Sequence, residues 1–322
     1  MKRVIVCCPG NCVTGGPELI HQFIDALSTR GVDANVAYYP FNEEFNIPEP
    51  YKKYAINVIR LEDIQNDDLV VLPEVATKFV KKFPENNIFI WWLSVDNYFG
   101  YKGVNLIKEK LRHYYDIVVG EKVSIARIKG INVINLVQSQ YAKDFLLKNG
   151  IASHSLTDYL NEEHLEQNVN FKGKEKIIAY NPKKGMKYTQ KLISAFGDYK
   201  FIPIENMTAI EVRKLLQSSM IYMDFGRHPG KDRFPREAAM AGCCIITGRE
   251  GSALNDIDVC VPRKYKIDAA SESFINDFGG LVDKIFSNFE QCNNEFEEYR
   301  TIIVNERFEF NRQVDFFVSQ FL

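Results

Sequence analysis

The chain has no excess of charge: 40 lysines and arginines stand against 42 aspartates and glutamates, a formal net charge of −2 over 322 residues. Without a domain-wide basic surplus, nucleic-acid binding is not expected as its main business. No apolar run approaches the roughly 18 residues of a membrane span. Met1-Lys2-Arg3 leads straight into a short strand with no leader pattern, so a cytoplasmic protein is expected. The seven cysteines, at 7, 8, 12, 243, 244, 260 and 292, form no Cys-x2-Cys pair. Cys8 and Cys12 have the one metal-like spacing, and no second pair or nearby histidine completes a zinc site. Two adjacent cysteine pairs lie inside apolar strands, which reads as buried thiols in a reducing compartment. Low-complexity tracts and short-period repeats are also missing. The loop Pro9 to Glu18 spells Gly10-x4-Gly15 but continues Gly16-Pro17, so it lacks the lysine and hydroxyl residue of a phosphate loop. Nor is it Gly-x-Gly-x-x-Gly, which removes the backbone approach of a dinucleotide site.

What is present is alternation. Short apolar runs at Val4 to Cys8, Val36 to Tyr39, Leu69 to Leu72, Ile88 to Leu93, Ile117 to Val119 and Val133 to Leu136 read as strands. Helical patterns lie between most of them: Glu18 to Arg30 with Gly31 as its stop, Val75 to Phe83, Val104 to Tyr114 and Tyr141 to Asn149. The second half repeats the scheme with strands at Lys176 to Tyr180, Phe201 to Ile204, Met220 to Asp224 and Cys244 to Thr247. Alternating β and α elements predict parallel sheets with helices on both faces. The length predicts two α/β domains of about 150 residues each, joined near Ser153 to Glu163. From Phe296 onward, apolar residues recur at helical spacing without the basic face of a membrane-surface helix, so this tail should pack on the protein itself.

The densest chemistry runs from Asp224 to Ser252. An apolar strand enters a loop with Arg227, His228, Lys231, Asp232 and Arg233, followed by Pro235-Arg236-Glu237, a small-residue helix and a second strand. Backbone amides at a helix start, with cations beside them, make an anion site. Pro235 suits a first helical turn, and Glu237 within that turn could accept from a pair of sugar hydroxyls. A solvated basic loop is the plain alternative.

The segment resembles the donor-binding region of GT-B glycosyltransferases, the retaining family with a Glu-x7-Glu motif. Arg236-Glu237-Ala238-Ala239-Met240-Ala241-Gly242 stands where that family has Leu-Glu-Ala-Met-Ala-x-Gly, and Cys244 to Thr247 follows as its strand. Glu237 matches the second glutamate, which the resemblance assigns to the nucleotide ribose. The first glutamate would fall at 229, which is Pro229 here, so Asp232 or a backbone group would have to meet the donor sugar. His228-Pro229-Gly230-Lys231-Asp232-Arg233 is also similar to a bacterial subgroup of surface-polysaccharide glycosyltransferases. The resemblance implies an α/β GT-B fold, two Rossmann-like doubly wound domains facing across a cleft. It sets 1–155 as the acceptor-side domain, 156–300 as the nucleotide-sugar-binding domain and 301–322 as a helical tail that packs back.

Further residues follow from it. Gly15-Gly16 matches the N-terminal glycine loop near the donor, although a plain strand-to-helix turn remains open. Lys184-Gly185 matches the family's Lys-Gly, whose cation meets the donor diphosphate. Asn181 replaces the usual arginine, and Arg227 or Lys231 would supply the second charge. Asp96, on the loop after Trp91-Trp92, is the candidate for acceptor or donor-sugar contact, with a structural aspartate as the alternative. His21 and Glu18 are the reserve choices. The implied activity is a hexosyltransferase-like transfer from a nucleotide-sugar to a hydroxyl of a glycan or lipid-linked saccharide. It would serve bacterial surface polysaccharide synthesis, cytoplasmic or at the inner face of the membrane with at most peripheral contact. Arg227 and Lys231 would stabilise the leaving diphosphate, so no metal or other cofactor is expected. Asp256-Ile257-Asp258 has D-x-D spelling but reads as a loop. Two other functions fit less of the sequence: a catalytically silent binding subunit, argued by Pro229, and a nucleotide-sugar epimerase.

Overall fold

The computed structural model describes residues 2–101, 106–165 and 171–322. The chain divides into two compact units: Met1–Asp158 together with Arg307–Leu322, and Tyr159–Glu306. The long last helix, Glu297–Phe321, contributes residues to both.

In the first unit, β1 (Val4–Pro9), β2 (Ala34–Tyr39), β3 (Asn57–Val58), β4 (Leu69–Pro73), β5 (Asn87–Trp92), β6 (Val133–Val137) and β7 (His154–Ser155) form one parallel sheet. Its order is β3-β2-β1-β4-β5-β6-β7. The chain winds outward from β1 in both directions, so the carboxyl ends of β1 and β4 flank a switch point, where open α/β sheets leave a crevice. Both faces are covered, and Val4 to Cys8 are wholly buried, as expected of a continuous apolar strand in a parallel sheet. Trp91 and Trp92 belong to this core. Trp91 Nε1 donates to Leu156 O at 3.0 Å and Trp92 Nε1 to Asn135 Oδ1 at 2.9 Å.

The second unit has four parallel strands, β8 (Glu175–Tyr180), β9 (Lys200–Pro203), β10 (Ser219–Asp224) and β11 (Cys244–Thr247), in the order β11-β10-β8-β9. From β8 the chain goes to β9 on one side, and from β10 to β11 on the other. The switch point therefore lies between the carboxyl ends of β8 and β10.

Two assignments from sequence change. Ile117 to Val119 is not a strand; it closes the helix Leu106–Val118, because a three-residue β-branched run is too short to override the helical pattern before it. The start of the Val104 to Tyr114 pattern lies outside the described residues. Val75 to Phe83 is not an α-helix but 3₁₀ turns spanning Glu74–Lys82, broken at Ala76 with φ −106° and ψ 17°.

Candidate functional site

Lys184 leaves the β8 end on a tight turn, and Asp224 closes β10 beside it. Two glycines let the loops touch. Gly185 has φ +59°, and a Cβ there would overlap the Phe225 carbonyl carbon. A Cβ on Gly226 would overlap the Lys184 side chain. The Lys184 ammonium thus lies over the loop, ion-paired with Asp232 and 3.8 Å from Asp224 Oδ2. Asp224 Oδ1 accepts from Gly226 N at 2.8 Å, and Oδ2 from the Tyr222 phenol at 3.3 Å. His228 Nδ1 lies 3.2 Å from Asp232 Oδ2. Burial works to raise the Asp232 pKa, but Lys184 and His228 outweigh it and hold the carboxylate far below its ordinary range. Burial likewise works to lower the Lys184 pKa, and the two aspartates reverse this and raise it.

A second cluster adjoins the first along the chain. Glu306 accepts from Arg236 Nη1 at 2.7 Å and lies 2.7 Å from Lys231 Nζ. Arg236 is wholly buried, and its other nitrogens donate to Asp232 O at 3.2 Å and Lys231 O at 3.3 Å. Arg236, a donor-binding candidate from the sequence, has its guanidinium buried here, where it braces the loop to the last helix.

The helix itself runs Arg233–Met240 with Asp232 at its N-cap, so Glu237 sits one turn in and not within the first turn. Asp232 takes extended dihedrals (φ −79°, ψ 140°) and starts the helix early; Pro235 still falls among the first amides, which need no intrahelical partner. Glu237 is buried, with Oε1 held by Arg233 at 3.0 Å and His164 Nε2 3.6 Å away. Burial lowers the His164 pKa despite Glu237, favouring the neutral ring. Arg227 is half-buried on the same loop.

The loop is thus less open than its cations suggest. Lys184, Lys231, Arg233 and Arg236 each have a carboxylate within 4 Å. An arriving diphosphate would share Lys184 with Asp232 and Lys231 with Glu306.

The first unit holds the other candidates. Gly15 and Gly16 do not form a left-handed loop; they open the helix Gly15–Ser28, with Thr14 at the N-cap position making no side-chain capping bond. Asp96 is 2% exposed, in the first turn of Val95–Phe99, and its Oδ1 accepts the Tyr141 phenol at 3.1 Å. The helix start is capped by Ser94, whose Oγ accepts from Asn97 N at 3.0 Å, and Asp96 instead ties this helix to Tyr141, shielded from solvent. His21 is buried, its ring nitrogens 2.6 Å from Pro17 O and 2.6 Å from the Tyr38 hydroxyl. A pocket of about 430 Å³, lined by Tyr38, Phe45, Arg60 and Glu62 among others, contains none of the residues singled out from sequence.

Three features escaped the sequence reading. Glu306 is 70 residues from Arg236 along the chain and carried no motif. Glu74, at the β4 end, is buried; Leu93 N donates to its Oε2 at 2.9 Å, and burial pushes its carboxyl up to about 8. The third is a possible cation cluster. Among the described residues, ligand atoms of Asp224, His228 and Asp232 lie within 4.8 Å of one another. Lys184 already sits on both carboxylates, so a metal ion would have to displace its ammonium. Asp256, by contrast, is bound to Arg263 at 2.7 Å and Lys266 at 3.1 Å.

No protein-family model matches this chain, and no curated protein sequence matches it. Solved structures do. Sucrose-phosphate synthase from Thermosynechococcus elongatus aligns with a TM-score of 0.72 at 10% identity, over 99% of this chain and 99% of that one. WaaG, a glycosyltransferase involved in lipopolysaccharide biosynthesis, aligns with a TM-score of 0.63 at 10% identity, over 97% and 99%. The trehalose-phosphate synthase from E. coli, bound with UDP-2-fluoro glucose, aligns at 0.60 and 9% identity, over the whole of both chains. The chain has the α/β GT-B fold of glycosyltransferases.

Proposed function

We propose that this protein is a glycosyltransferase that moves a sugar from a nucleotide-diphosphate sugar to a hydroxyl of a glycan or lipid-linked acceptor. The observation that carries the reading is Lys184 at the β8/β10 switch point, next to a loop and helix that present Lys231 and Glu237. The fold it shares with WaaG and with a UDP-2-fluoro glucose complex supports a nucleotide-sugar donor and a place in surface-polysaccharide synthesis.

In the proposed reaction the bond from the sugar's anomeric carbon to the diphosphate breaks, and a bond to the acceptor oxygen forms on the same face. The acceptor's proton passes to the leaving diphosphate. No protein nucleophile is needed. Lys184, Lys231 and Arg227 stabilise the charge that develops on the diphosphate, and Glu237 accepts from the ribose hydroxyls. Asp232 stands in for the glutamate missing at Pro229. The protein works in the cytoplasm, at the inner face of the membrane. Because Lys184 fills the one cluster among the described residues that could take a cation, transfer is expected to persist in excess EDTA. Loss of activity in EDTA, restored by magnesium or manganese, would overturn this assignment of the charge.

Glu237→Ala should weaken nucleoside diphosphate binding by about 1.5–3 kcal/mol, the range for a hydrogen bond to a charged partner. Calorimetric titration reads this directly, and wild-type affinity in the variant would remove the ribose assignment. A silent binding subunit is favoured by one observation, the pairing of most loop cations with the protein's own carboxylates. Tight nucleotide-sugar binding with no transfer to any acceptor would select that reading.

A further inference from the structure

The helix Leu106–Val118 of the first unit turns five large apolar side chains to solvent. Ile107, Leu111, Tyr114, Tyr115 and Val118 are 74%, 64%, 67%, 61% and 84% exposed. At about 100° per residue they fall within an arc of roughly 100°, a single face. Exposed apolar residues scattered singly need no explanation; a contiguous set does. The charges around this face are sorted. Lys110 borders it on one side, Lys108 and Arg112 on the other, and all three are exposed. The opposite side of the helix is turned to the protein. There His113 is buried against Phe99, with ring centroids 4.8 Å apart. Asp116 is there too, its carboxylate neutralised by Arg112 at 3.1 Å and Lys122 at 3.4 Å.

Apolar residues at the centre, cations at both rims and acids turned inward suit a surface that is apolar below and anionic above. That is a lipid leaflet with acidic headgroups, where the aliphatic side chains enter the acyl boundary and lysine and arginine stay at headgroup level. The two tyrosines suit the same boundary, with an apolar ring and a polar tip. The last helix, in contrast, uses Phe310, Val314 and Phe317 inside the protein, where all three are buried. No helix among the described residues is long and apolar enough to cross a membrane, so contact through Leu106–Val118 would be peripheral.

We propose that Leu106–Val118 is a membrane-docking helix that lies flat on an anionic leaflet with Ile107, Leu111, Tyr114 and Val118 facing the lipid. It is the surface at which the proposed transferase meets a lipid-linked acceptor, and it rests on that reading only for the nature of the acceptor. Sedimentation of the full chain with phosphatidylcholine vesicles, with and without phosphatidylglycerol, tests it without donor or turnover. The wild type should bind vesicles that contain phosphatidylglycerol, and added salt should weaken the binding. Leu111→Asp with Val118→Asp should reduce binding by about 10²-fold or more, since two side chains lose their apolar seat. Lys110→Gln should reduce it by about fivefold, and only on anionic vesicles. Both variants should keep the wild-type melting temperature and nucleoside diphosphate affinity, because Leu111, Val118 and Lys110 are exposed and lie outside the donor cluster. Failure of nucleotide binding with vesicle binding intact would count against the donor reading and leave the helix assignment standing. Three results would overturn the helix assignment: no wild-type binding to anionic vesicles, unchanged binding by Leu111→Asp/Val118→Asp, or a dimer in solution that this variant dissolves. The last would mean that a second copy covers the face.

Discussion

Lys184→Met should cost the second unit about 3–5 kcal/mol of stability at neutral pH, the range for removing one partner of a buried ion pair. Methionine keeps the length and the apolar stem but removes the charge from two carboxylates. Asp224 has no exposed side-chain surface and that of Asp232 is 14% exposed, so water can replace the ammonium only in part. The pH dependence has a definite sign. Asp232 has a folded pKa below its ordinary 3.8, so its contribution is present above that value and fades as pH falls through the lower folded one. Lys184 has a folded pKa above its ordinary 10.5, so its contribution holds below that value and fades only at higher pH. The pair is therefore fully engaged across the neutral range, and the gap between wild type and variant should narrow in acid as Asp232 protonates. Urea unfolding at neutral and acid pH measures both. A loss under about 1 kcal/mol at neutral pH would mean that the ammonium is not holding these carboxylates. Adding Asp232→Asn to Lys184→Met should recover part of the loss, because the stranded charge is then gone.

The same cluster marks what the sequence could and could not disclose. Strands such as Val4 to Cys8 and Met220 to Asp224 were legible because buried parallel strands are continuous apolar runs. The loop from Arg227 to Arg233 stood out through its density of cations, and the structure sets Lys184 on it as one strand end beside another. The carboxylates that hold those cations were not legible as partners. Glu306 meets Arg236 and Lys231 only because the last helix packs there, and nothing local at position 306 announces it. The helix carrying Glu237 begins at Arg233 because Asp232 adopts a cap conformation, a backbone choice that Pro235 alone could not reveal. Asp96 drew attention as a strand-end acid, but its burial against Tyr141 depends on a helix that starts 44 residues later, at Gln140. Charges can be read from a sequence. Which of them are already neutralised is decided by tertiary contacts.

Glu74 shows this most sharply and carries the other large expectation. It ends β4 beside the first unit's switch point, where its carboxyl is buried and bonded to the backbone amides of Leu93 and Ser94. Burial raises its pKa from 4.5 to about 8, and the amide bonds, which favour the anion, only partly offset that. A carboxyl raised in this way binds its proton more tightly folded than unfolded. Its effect on stability is therefore most favourable below pH 4.5 and declines as pH rises toward 8. At about 1.4 kcal/mol for each pH unit between those values, the decline is on the order of 5 kcal/mol. Glu74→Gln keeps the shape and the carbonyl acceptor for Leu93 N but cannot ionise. The variant should therefore show a much flatter stability profile over this range and should exceed the wild type near pH 8. Denaturant unfolding of both proteins at several pH values from acid to mildly alkaline decides the matter. Parallel profiles would mean that Glu74 ionises as freely folded as unfolded, and that water reaches the β4 end. A flat variant profile against a falling wild-type one would establish a neutral carboxyl under the Leu93–Ser94 turn at working pH, holding the strand end from which Asp96 and its helix begin.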